Sequence, residues 1–88
     1  MAELKVIKFE ASWCAPCKVM KPVFDKVMAE TNAVEFETVD IDKEADKAID
    51  MNVMSVPTVI LVKSGKVVDR FVGTCTAKDL LELINKWK

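Results

Sequence analysis

Histidine is absent from the chain. That removes the commonest general base, the commonest metal ligand and the usual physiological pH switch. An excess of charge is missing as well: 13 basic and 14 acidic residues leave a net charge of -1. A nucleic-acid-binding or membrane-surface protein would need a basic surplus, so neither partner is expected. No apolar run approaches the ~20 residues of a membrane-spanning helix. The opening Met1-Ala2-Glu3-Leu4-Lys5 has no basic n-region and no long apolar stretch, so no secretory signal is expected. Only two glycines and three prolines punctuate the chain, and it contains no repeat, low-complexity tract or linker. The three cysteines are an odd number. A secreted disulfide scaffold uses more of them, in even count, so a reducing, cytoplasmic setting is expected.

What is present suits a small folded domain. Apolar residues make up 51% of the sequence, too many for intrinsic disorder. At 88 residues the expectation is one domain over 1–88. Leu4 to Phe9 reads as a strand. Residues 15 to 31 read as a helix, with Val19, Met20, Val23, Phe24, Val27 and Met28 in pairs at helical spacing. Pro16 suits the first turn, whereas Pro22 lies inside and is expected to kink the helix.

Val34 to Ile41 reads as a second strand, with Val34 and Phe36 on one face and Val39 and Ile41 on the other. Asp42 is placed to cap a short helix that turns Ala45, Ala48 and Ile49 inward. Thr58 to Val62 is a continuous apolar run, as in a strand covered on both faces. Ser64-Gly65 marks a hairpin turn and Val67 to Val72 the return strand. Thr76 with Asp79 has the form of a capping box. It opens a last helix with the stripe Leu80, Leu81, Ile84 and Trp87. The order β-α-β-α-β-β-α predicts an α/β fold. A crossover helix makes its two strands parallel and a hairpin makes its pair antiparallel. The sheet is therefore expected to be mixed and four-stranded, with helices on both faces.

The chemistry concentrates at Cys14-Ala15-Pro16-Cys17, where the first strand turns into the first helix. A helix N-terminus presents unpaired N–H groups and the positive end of its dipole, both favouring a thiolate. The two-residue spacing lets the second sulfur reach the first, and Pro16 stiffens the turn. The thiolate is the nucleophilic form of cysteine. A pair of inert buried cysteines, or half of a metal knuckle, has the same spacing. A tetrahedral zinc site needs four ligands, so three cysteines without histidine would have to borrow a carboxylate or a second chain. No metal is expected, and redox chemistry is the favoured reading.

Trp13-Cys14-Ala15-Pro16-Cys17-Lys18 resembles the active site of the thioredoxin family, where the middle pair is usually Gly-Pro. The resemblance extends along the chain. Val39-Asp40-Ile41-Asp42 is similar to the family's second-strand ending, and Ser55-Val56-Pro57-Thr58 to its cis-proline loop. Lys63-Ser64-Gly65-Lys66 is similar to its hairpin, Phe71-Val72-Gly73 to the segment with its glycine, and Pro22 to its helix-kinking proline. The extra N-terminal strand and helix of ordinary members have no counterpart, which leaves the minimal core of the fold.

The resemblance implies a protein-disulfide reductase that needs no bound cofactor. Cys14 would be the exposed nucleophile, forming a mixed disulfide with a disulfide-containing substrate protein. Cys17, more buried, would resolve it and leave the pair oxidised. Trp13 would cover the site and offer a flat apolar contact. Pro57 would be cis and face the sulfurs, leaving the Val56 backbone to pair with an extended substrate. Gly73 would let that substrate approach closely. Ala15 lies between the sulfurs, and Ile41, Pro16, Val56 and Val72 would complete an apolar rim. A thioredoxin reductase-like flavoenzyme would recharge the protein, which is expected to be a monomer.

Two positions depart from the family pattern. Lys8 stands where a buried aspartate is usual, with Thr38 at the partner lysine's position. An ammonium near the sulfurs stabilises thiolates, so Lys8 is expected to make the couple more oxidising, unless its stem carries the charge out to water. Glu10 occupies a position often held by an aromatic and is expected to be solvated. Cys75, two residues after Gly73, is either a regulatory thiol or one packed on the last helix. Three other readings share the motif. They are a glutathione-dependent glutaredoxin, a non-enzymatic partner-binding module of the same fold, and a metal or iron–sulfur site shared across a dimer. Val72-Gly73-Thr74-Cys75 does not match the glutaredoxin Gly-Gly segment, and the intact cysteine pair argues for chemistry.

Overall fold

The computed structural model describes residues 3–88. Leu4–Glu10 forms strand β1, Ala15–Glu30 helix α1, Val34–Asp40 strand β2 and Ala45–Asp50 helix α2. Thr58–Lys63 forms β3, Lys66–Val72 β4 and Ala77–Trp87 helix α3. The strands lie in the order β2-β1-β3-β4. β1 runs parallel to β2, from Leu4 beside Val34 to Glu10 beside Asp40. It runs antiparallel to β3, and β3 antiparallel to β4, so the four-stranded sheet is mixed, as expected.

Alternation along the two central strands decides what covers each face. Leu4 and Val6 of β1, with Val59 and Leu61 of β3, bury against Met20, Phe24 and Val27 of α1 and Leu80 and Ile84 of α3. Ile7 and Phe9 point the other way, packing with Val39, Ile60 and Ala48 of α2. Phe24 meets Phe36 of β2 edge to face, centroids 5.3 Å apart. Fully burying such a side chain contributes roughly 1.5–3 kcal/mol. Helices therefore cover both faces. Lys8 is the exception in the alternation, a charged residue on the face that α1 covers.

Local chemistry fixes the ends. Ser64 and Gly65 take φ of 52° and 83°, the paired positive values of a two-residue hairpin turn. Thr76 Oγ1 accepts the Asp79 N–H at 3.1 Å while Asp79 Oδ2 accepts the Thr76 N–H at 3.4 Å, completing the capping box. The Arg70 guanidinium of β4 donates to the carbonyls of Met51 at 2.7 Å and Asn52 at 3.2 Å. It thereby ties the loop leaving α2 to the sheet.

Three expectations change. The buried stripe of α1 is narrower than its apolar content, because Val19 and Met28 face solvent. In α2 only Ala48 is buried, with Ala45 and Ile49 exposed. A helix of six residues meets the sheet over little more than one turn. Its N-cap is Glu44, without a side-chain cap bond, rather than Asp42. Asp42 lies too far upstream to reach the first helical N–H groups, and its carboxylate is engaged elsewhere.

Candidate active site

β1 ends at Glu10, and the chain turns through Ala11 to Trp13 before α1 begins. Cys14 is the N-cap of α1, with extended backbone (φ −92°, ψ 110°). Its N–H donates to Ala11 O at 3.2 Å, and its sulfur accepts the Cys17 N–H at 3.2 Å. A cysteine here takes the place of the serine or aspartate that ordinarily caps a helix. The sulfur therefore receives one of the helix's unpaired donors and the positive end of its dipole. Pro16 occupies the first turn, where its missing N–H costs nothing. Cys14 and Cys17 stand at disulfide distance, with Cα atoms 5.3 Å apart.

The expected contrast in exposure between the two cysteines does not hold. Cys14 is 4% exposed and Cys17 3%. Both pack with Ala11 beneath Ile41 and Val56, two of the expected rim residues. That cover buries the Cys14 residue. Val56 O lies 3.6 Å from Cys14 Sγ, and the Val56–Pro57 bond is cis. Pro57 is buried, and its carbonyl accepts the Gly73 N–H at 2.9 Å. This bond joins the proline loop to the glycine that follows β4. Gly73 has φ +99°, and the space a Cβ would enter there is open to 4 Å. Pro16, Ala15 and Val72 are exposed. The residues singled out in the sequence thus come together, apart from Lys8, which lies under the sheet's α1 face.

Trp13 is 67% exposed, yet its indole is held: Nε1–H donates to Asp42 Oδ2 at 2.9 Å. Asp42 N–H in turn donates to Asp40 Oδ1 at 2.9 Å. Asp42 is a site residue that the sequence reading placed elsewhere. The signal was its position, at the end of the segment that also supplies Ile41. Met54, exposed just before the proline loop, was not singled out either.

Lys8 does not reach water. The residue is 3% exposed, with Nζ 3.0 Å from Glu10 Oε1 and 4.9 Å from the centroid of the Phe24 ring. Its charge is shared with Glu10, so the field it sends to the sulfurs is that of a dipole and weaker than that of a lone ammonium. Glu10 is partly buried rather than freely solvated, its side chain 32% exposed. Cys75 packs against the α1–α3 core, and its N–H points at Met20 Sδ, 3.4 Å away. Burial pushes its thiol up from the ordinary range, and the Asp79 carboxylate adds to the shift. That environment suits an inert thiol. Among the described residues no cluster of His, Cys, Asp and Glu has the form of a metal site.

The family model described as Thioredoxin matches residues 1–86. The chain is 43% identical over 83 residues to the thioredoxin of Chlamydia caviae, covering 94% of this chain and 81% of that one. It is 46% identical over 69 residues to the mitochondrial thioredoxin of Mus musculus, covering 77% of this chain but only 42% of that longer protein. Among solved structures, Fasciola hepatica thioredoxin superposes with a TM-score of 0.92 at 37% identity, over 99% of this chain and 83% of that one. The oxidised form of mitochondrial thioredoxin 3 from Saccharomyces cerevisiae gives 0.90 at 31%, over 98% and 80%. With the paired sulfurs at the head of α1, these matches place the chain in the thioredoxin family of protein-disulfide oxidoreductases.

Proposed function

We propose that this thiol–disulfide oxidoreductase reduces disulfides of substrate proteins with Cys14 as the attacking sulfur and Cys17 as the resolving one. The observation that carries the assignment is the capping geometry: Cys14 Sγ, not Cys17 Sγ, accepts the N–H at the helix N-terminus. That placement favours the Cys14 thiolate. In the reaction the Cys14 thiolate attacks a substrate sulfur, and the partner substrate sulfur leaves with the electron pair. Cys17 then attacks Cys14 Sγ, the second substrate thiolate departs, and the Cys14–Cys17 disulfide remains. Two electrons pass to the substrate, and a flavoenzyme of the thioredoxin reductase type returns them.

Docking uses the rim. An extended substrate segment pairs with the Val56 backbone beside Pro57, passes over the open face of Gly73, and rests apolar side chains on Ile41, Pro16, Ala15, Val72 and the Trp13 indole. Main-chain pairing gives such binding its affinity without a strong sequence demand. A monomer working in the cytoplasm fits the balanced charge and the sparse cysteines.

The test is trapping. Cys17→Ser mixed with an oxidised protein substrate accumulates a covalent adduct through Cys14 that dithiothreitol releases, and Cys14→Ser accumulates none. Adducts formed equally by both variants overturn the assignment. Equilibration against redox buffers should place the couple near the roughly −270 mV of a general reductant, and a value above about −200 mV would move it to the glutaredoxin or isomerase range.

A further inference from the structure

The resolving step needs a proton removed from Cys17, and Cys17 is buried. A small cavity of about 120 Å³ reaches it, lined by Glu10, Ala11, Ser12, Cys17, Lys18 and Lys21. One carboxylate stands in that lining. Glu10 Oε1 faces Lys8 Nζ at 3.0 Å, which leaves Oε2 as the atom for water. A single water needs only about 10–15 Å³ of such space, so the cavity has room for a chain of waters between Cys17 and Glu10. Glu10 is also partly exposed, so a proton it takes up has a route to bulk solvent.

We propose that Glu10 accepts the proton of Cys17 through water in this cavity during resolution of the mixed disulfide, with Lys8 as the positioning residue that aims its carboxylate. The inference rests on Cys17 being the resolving thiol. The Cys17 S–H proton passes through water to the Glu10 carboxylate, and the resulting thiolate attacks Cys14 Sγ. The Cys14–substrate S–S bond breaks as the Cys14–Cys17 bond forms. The substrate sulfur leaves with the electron pair and takes a proton from solvent, and Glu10 returns its own proton to solvent.

The surrounding charges agree with the assignment. Lys18 and Lys21 line the cavity from α1, and Lys21 is paired with Asp25 at 3.4 Å. Asp40 lies beside Glu10 across the β1–β2 pairing, but its Oδ1 accepts the Asp42 N–H and it does not line the cavity. Lys8 completes the set from β1. Its burial over Phe24 holds the ammonium in place, so the carboxylate paired with it is held as well.

Rapid mixing of the reduced protein with a chromogenic aromatic disulfide separates the steps. Attack by Cys14 releases one coloured thiolate, and resolution by Cys17 releases a second. In Glu10→Gln the second phase should slow by about a hundredfold at pH 7, the lower end of what a positioned proton acceptor contributes. The deficit should close at strongly alkaline pH, where the thiol ionises without a proton acceptor. Glu10→Asp should recover part of the rate. Because Glu10→Gln strands the buried Lys8 ammonium, Lys8→Met/Glu10→Gln serves as the second variant, and it should show the same pH-dependent deficit. A second phase at the wild-type rate throughout, or slowed equally at every pH, overturns the inference while leaving the role of Cys17 intact. Cys17→Ser should show the first phase alone. Two phases in that variant would instead remove Cys17 from resolution, and the inference with it.

Discussion

The Trp13 indole N–H donates to Asp42 Oδ2 at 2.9 Å across 29 positions of sequence. It joins the residue before the first sulfur to the loop that carries Ile41, so a largely exposed aromatic is held in one orientation beside the sulfurs. Asp42→Ala removes the acceptor. A hydrogen bond of this kind is worth about 1 kcal/mol net, so kcat/KM for a protein disulfide should fall roughly fivefold. Fluorescence anisotropy in a Trp87→Phe background, where Trp13 is the sole emitter, should show a more mobile indole. An indole as ordered as before would mean that packing, not Asp42, holds it.

Gly73 supplies a second test, in which space and backbone conformation predict different things. Its φ of +99° is unfavourable for any residue with a Cβ, although no atom lies within 4 Å of where that Cβ would sit. Gly73→Ala should therefore cost about 1–2 kcal/mol of stability through backbone strain, without a steric clash. The methyl group would project into the space proposed for the substrate backbone. KM for a protein substrate should rise, while reaction with a small disulfide stays near the original rate. Equal loss on both substrates would place the effect in the sulfurs' geometry instead.

The contrast between what the sequence disclosed and what it concealed follows from the range of the interactions. The element order, the continuous apolar β3 and the Thr76–Asp79 capping box were legible because each depends on residues a few positions apart. The Cys14–Cys17 pair was legible for the same reason. Asp42 looked like a helix cap because its neighbours allow one, and only the folded chain brings Trp13 to it. Lys8 and Glu10 were noticed as departures, but their pairing and the shared cavity depend on how α1 lies over β1. The burial of Cys14 comes from Ile41 and Val56, residues of two other segments. Val19 and Met28 have helical spacing, yet periodicity cannot say how wide a stripe the sheet will cover.

Acid stability should depend on Glu37. Its carboxyl is held below the ordinary range by the Lys47 ammonium first and by Lys5 second, against a smaller opposing effect of burial. A carboxylate whose pKa is lower in the folded state stabilises the fold above its unfolded pKa, and loses that contribution as pH falls through the folded value. Glu37→Gln should thus be less stable than wild type at pH 6, with the difference shrinking as pH drops below about 4.5. The pairs with Lys5 and Lys47 lie near the surface, so the difference should be on the order of 0.5 kcal/mol and smaller still in high salt. Urea titrations at several pH values read it directly, and a pH-independent difference would remove the ion pairs as its cause.

Lys8 combines a long apolar stem with a buried charge, and the two parts make separable contributions. The stem lies in the α1-facing core, with the ammonium over Phe24 and against Glu10. Lys8→Ala removes both parts and leaves a cavity, so it should cost about 2–4 kcal/mol, as for other long buried side chains. Lys8→Met keeps the volume and removes only the charge. Burying an ion pair has a desolvation cost comparable to its Coulomb attraction, and apolar replacements are often neutral. Glu10, left without its partner, is exposed enough to hydrate. Lys8→Met should therefore stay within about 1 kcal/mol of wild type in urea denaturation of the reduced protein. If it loses as much as Lys8→Ala, the ion pair itself holds β1 and α1 together. Should it match wild type in stability while resolving mixed disulfides more slowly at neutral pH, the charge is retained for its effect on Glu10 and not for the fold.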